Sequence, residues 1–72
     1  MKPEAIARAY VTCIELEERL RTETPELADQ VDELRGELHA LLMDAFREAG
    51  ISFVDRADAA RQAFELARQP AV

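Results

Sequence analysis

Apolar residues along this chain recur every three or four positions, and no stretch shows the strict alternation of a half-buried strand. Ile6, Ala9, Cys13, Leu16 and Leu20 form a first row, which Tyr10 widens and which Val11 and Ile14 fall outside. Pro3 suits a first helical position, where a missing N–H costs nothing, so the spacing predicts a helix over about 3–21. A second row, Leu27, Val31, Leu34, Leu38, Leu41 and Ala45, predicts a helix over about 25–49. It opens on Thr24-Pro25-Glu26, a capping residue followed by proline and a first-turn acid. It closes on Gly50-Ile51, where glycine can turn left-handed and isoleucine can make the accompanying apolar contact. Ser52 with Asp55, and Asp55 with Asp58, then offer two overlapping capping signals. A third row, Phe53, Ala57, Ala60, Phe64 and Ala67, predicts a helix over about 53–69, ending before Pro70.

Only two or three residues separate the first two helices, so they must be antiparallel neighbours. The expected fold is all-α: a single domain over 1–72, an antiparallel hairpin plus a third, shorter helix forming a three-helix bundle. Folding the hairpin about its turn sets Leu20 against Leu27, Leu16 against Val31, Cys13 against Leu34 and Ile6 against Leu41. From Leu38 onward the second helix is apolar over most of its circumference, with only a thin polar strip at Asp44, Arg47 and Glu48. Such a helix needs cover on more than one side. The alanine-rich third helix offers limited area, which predicts a homodimer built around helix 2. The candidate interface is Val11, Ile14, Gly36, His39, Ala40, Leu42, Met43 and Phe46. Gly36 belongs there because a mid-helix glycine costs about 1 kcal/mol relative to alanine, and with Ala40 it makes a small edge that another helix could approach.

A chain this short buries only about 60% of its unfolded surface, and its one cysteine excludes an intrachain disulfide as a staple. Cys13 on the seam reads as a small buried hydrophobe. The lone thiol, the absence of an apolar leader and the absence of a membrane-length apolar run predict a cytoplasmic protein. Eight arginines against one lysine suit a high-GC bacterial or phage genome. The net charge of −6 lies within residues 15–37, where nine acids meet three arginines, and the rest of the chain is balanced. That sign argues against direct nucleic-acid binding. Glu18, Glu26, Asp29, Asp32, Glu33 and Glu37 form a candidate acidic docking surface, whose plainer role is a solubilising coat.

Catalytic chemistry finds little purchase. His39, the only histidine, has no nucleophile placed to use it and reads as a partly exposed helical residue. Glu37 and His39 have one residue between them, which sends their side chains about 200° apart on a helix, unlike the Glu-x-x-His spacing of di-iron bundles. Residues 42–64 fit a helix-turn-helix poorly: Phe46 stands where a small residue belongs and Arg56 where a buried aliphatic belongs. No cofactor or metal is expected. The leading reading is a non-catalytic interaction module, regulatory or adaptor in kind. An acidic mimic of nucleic acid comes second, and a carboxylate metal site or small enzyme formed across a dimer comes third.

Overall fold

The computed structural model describes residues 2–69. It has three helices, α1 (Pro3–Glu23), α2 (Pro25–Ala49) and α3 (Arg56–Ala67), and no strand among the described residues. Proline opens both α1 and α2. The hairpin turn is tighter than expected, a single residue, Thr24. Its N–H closes α1 on the Leu20 carbonyl at 2.6 Å, while its own carbonyl accepts from Leu27 and Ala28 at 3.0 and 3.2 Å. The threonine therefore caps through its backbone, and its hydroxyl makes no capping bond.

α2 ends as the sequence predicts. Gly50 adopts φ 75°, Gly50 N–H reaches Arg47 O at 3.2 Å, and Ile51 N–H reaches Phe46 O at 2.8 Å. This pair of bonds is a Schellman motif, and it needs a residue that tolerates positive φ. Of the two capping signals beyond it, Asp55 prevails: its carboxylate accepts from Asp58 N–H at 2.9 Å, and Asp58 accepts from Val54 N–H at 2.9 Å. α3 therefore begins at Arg56 rather than near 53 and ends at Ala67 rather than 69. Phe53 belongs to the connecting loop. Its ring meets Phe46 at 6.2 Å between centroids and lies under the Arg47 guanidinium.

The core gathers at the open end of the hairpin, where α3 folds back chiefly against α1. It consists of Ile6, Ala7, Tyr10, Leu42, Ala45, Phe46, Ala59 and Ala63. Ala59 and Ala63 are fully buried, while of the expected Phe53–Ala57–Ala60–Phe64–Ala67 stripe Phe53 and Ala60 pack partly buried against the core and Ala57 is exposed, so the inward face is rotated toward Ala59 and Ala63. Small side chains are what allow that close approach. The turn-proximal half has a thinner interior, with Cys13 and Ala28 buried. An ionic ladder crosses it: Arg21 and Arg35 both reach Glu17, the latter at 3.3 Å, and Arg35 also holds Asp32.

The leucines expected to close up inside the hairpin are only half covered. Leu16, Leu27, Leu34 and Leu41 remain 44%, 44%, 49% and 53% exposed. Tyr10 stacks on His39 instead, at 5.3 Å. Each long helix must face both its hairpin partner and α3, so its buried arc swings toward the flank where α3 docks. The leucine rows end up on the opposite flank.

The two glycines separate cleanly. A Cβ at Gly36 would meet nothing within 4 Å, whereas Gly50 combines open space with a left-handed backbone. Gly36→Ala is expected to raise stability by about 1 kcal/mol. Gly50→Ala is expected to lower it by a similar amount. Urea denaturation of the two variants checks both signs.

Candidate interaction face

The interface residues expected from the sequence divide by the flank they occupy. Leu42 and Phe46 are fully buried and His39 nearly so, which removes these three side chains from any surface contact. The physical reason is that α1 and α3 together supply the second covering that helix 2 was expected to find in another copy. Val11, Ile14 and Met43 are partly buried against the same core. Gly36 is partly buried and Ala40 exposed. Of the acidic set, Glu18, Glu26, Asp29, Glu33 and Glu37 are exposed, while Asp32 is partly covered and bound by Arg35. That guanidinium hydrogen bond holds the Asp32 carboxyl below its ordinary value.

His39 is a structural clasp. Its Nε2 lies 3.2 Å from the Arg56 carbonyl and its Nδ1 3.3 Å from the Arg56 guanidinium. A carbonyl can only accept and a guanidinium can only donate. The pair therefore assigns the neutral ring, with Nε2–H donating and Nδ1 accepting. With Tyr10 stacked on its face, the ring ties α2 to both α1 and the first turn of α3. Burial, followed by the neighbouring Arg56 and Arg35 charges, lowers its pKa from the ordinary 6.5, although the Arg56 carbonyl opposes that shift. Arg56 is thus engaged where a DNA reader would present it. Arg61 is likewise held, by Asp58 at 2.6 Å and Glu65 at 2.7 Å.

Among the described residues no three His, Cys, Asp or Glu side chains converge into a metal-sized group. Nor is any helix long and apolar enough to cross a membrane. A shallow depression of about 180 Å³ beside Leu16 is lined by Thr12, Glu15 and Arg19, all on α1, so nothing encloses a small molecule there.

The surface feature that stands out is the flank facing away from α3. Leu16 and the partly covered Leu20 line its α1 side. On the α2 side, Leu27, Leu34 and Leu41 are half exposed; they belong to the sequence row Leu27, Val31, Leu34, Leu38, Leu41 and Ala45, spaced four, three, four, three and four, of which Val31 and Leu38 are partly buried and Ala45 lies in the core. That spacing is the heptad alternation of a helix seam, with leucine at one set of positions and Val31, Leu38 and Ala45 at the other. The sequence shows this alternation plainly. Read alone it points to the inside of the hairpin, because spacing reports a stripe and not which neighbour covers it. The chain matches no protein-family model, and comparisons with curated proteins and with solved structures also give no match.

The clasp sets a pH dependence. A histidine whose folded pKa is depressed contributes stability that is whole above its unfolded value near 6.5 and is lost as pH falls through the folded one. Urea midpoints are expected to fall between pH 7.5 and pH 5.5 in the native chain, and His39→Phe is expected to flatten that window. An NMR titration placing His39 at or above 6.5 would contradict the assignment.

Proposed function

We propose that this chain is a small, non-catalytic helical interaction module, a regulatory or adaptor protein of the cytoplasm that works by protein–protein contact as a homodimer. The observation that carries the reading is the row of half-exposed leucines, Leu16, Leu27, Leu34 and Leu41, on one flank of the hairpin. Isolated surface leucines need no explanation, but a contiguous apolar patch of roughly 300–600 Å² is the upper range for a monomer and is often functional. The exposed parts of four leucines alone amount to about 300 Å² per copy. Burying two such patches at about 25 cal/mol per Å² gives on the order of 15 kcal/mol. Association costs about 4–15 kcal/mol, so the row supplies the driving term and the packing of the rest of the face sets the affinity.

The acidic edge of α2 supports a second reading, docking on a basic partner as a mimic of nucleic acid, because Glu26, Asp29, Glu33 and Glu37 are exposed. Salt separates the two: contact through leucines survives it, whereas contact through an acidic edge weakens steeply. In sedimentation equilibrium the native chain is expected to form a dimer that persists at high salt. Leu34→Asp is expected to convert it to a monomer with unchanged helical circular dichroism. A native chain that stays monomeric at micromolar concentration would overturn the homodimer.

A further inference from the structure

We propose that two copies stack leucine face on leucine face about a two-fold axis parallel to the helices, so that α1 of each copy lies over α2 of the other. This rests on the contact reading above and specifies its geometry. Two isologous stackings could bring these faces together. An axis along the helices sets α1 over α2, and an axis across them sets α1 on α1 and α2 on α2.

Charge chooses between them. The outer edge of α2 beside the leucine row carries Glu26, Glu33, Glu37, Asp44 and Glu48, all exposed. Of these, Asp44 is shared with Arg47. The crossed axis would lay this acidic edge along its own copy, like charge on like, which opposes association. The outer edge of α1 is mixed: Arg8 and Arg19 share one stripe with Glu15 and Glu23. Among the described residues, Arg8 and Arg19 take part in no ion pair.

The Tyr10–His39 stack sets the level at which the two helices of one copy stand beside each other. With the axis parallel to the helices, that same level brings Arg8 near the Glu37–Asp44 stretch of the second copy. It also brings Arg19 near the Glu26–Glu33 stretch. The size fits as well. Two helices about 30 Å long and about 9 Å apart present a face on the order of 600 Å². Its long rim side chains carry it toward the ~800 Å² per partner of a specific interface. Leucine burial supplies the affinity, and the rims select the orientation.

Thr12 and Glu37 are exposed and meet at one level across the proposed interface. Thr12→Cys and Glu37→Cys, each with Cys13→Ala, are mixed and treated with a short bis-maleimide. A product of doubled mass is expected from the mixture and from neither variant alone. Cross-linked product from the single variants, or none from the mixture while the native chain sediments as a dimer, would overturn the arrangement and leave the dimer standing. A monomeric native chain would overturn both. A readout without thiols comes from Arg8→Glu combined with Arg19→Glu, which is expected to weaken dimerisation several-fold at low salt. Unchanged association would contradict the proposal.

Discussion

α3 has 12 residues against 25 in α2, and it can lie along only one flank of the hairpin. That inequality governs the structure. A two-helix hairpin has two grooves, one on each side of its plane, and α3 fills one of them. Once Ala59 and Ala63 seat against Ile6, Ala7 and Tyr10, both long helices turn their largest side chains, Leu42 and Phe46 among them, toward that side. The other groove keeps a row of leucines that the described residues leave half exposed.

The docking of α3 is specified more by polar geometry than by apolar area. Two alanines make a slim contact, and the register comes from Arg56 against His39 and from the Asp55–Asp58 cap. Gln62 adds a bond to the Ser52 carbonyl at 2.8 Å, holding the connecting loop to the helix it precedes. Satisfied polar groups of this kind contribute modestly when made and cost more when one partner is removed. The far half of the hairpin uses the same economy, with Arg35 joining Glu17 and Asp32 where the apolar interior is thin.

The ends of the hairpin helices are legible because they rest on local chemistry, while the bounds of α3 shift by two or three residues. Proline opens two helices, Gly50 ends one, and the short turn forces antiparallel neighbours. The direction of burial was not legible, because it depends on where a third helix docks. In α2 the heptad row and the buried row lie side by side, so Leu34 and Leu41 took the places that belong to Arg35 and Leu42. In α3 the apolar residues are mostly alanine, and a stripe of alanines marks its inward face only weakly. His39 was hidden for a related reason. Its partner lies 17 residues away in sequence, at the start of a helix whose position is set by tertiary contact. The leucine row is therefore legible as a pattern, and the side it faces is not.

The central claim is that the uncovered flank is where a second copy binds, and small-angle scattering of the native chain tests it most directly. A single copy has a mass of 8.1 kDa and a radius of gyration of 12.5 Å. A particle of twice that mass, with a radius of gyration clearly above the single-copy value, is the expected result at micromolar concentration and high salt. Scattering that matches one copy under those conditions would contradict it.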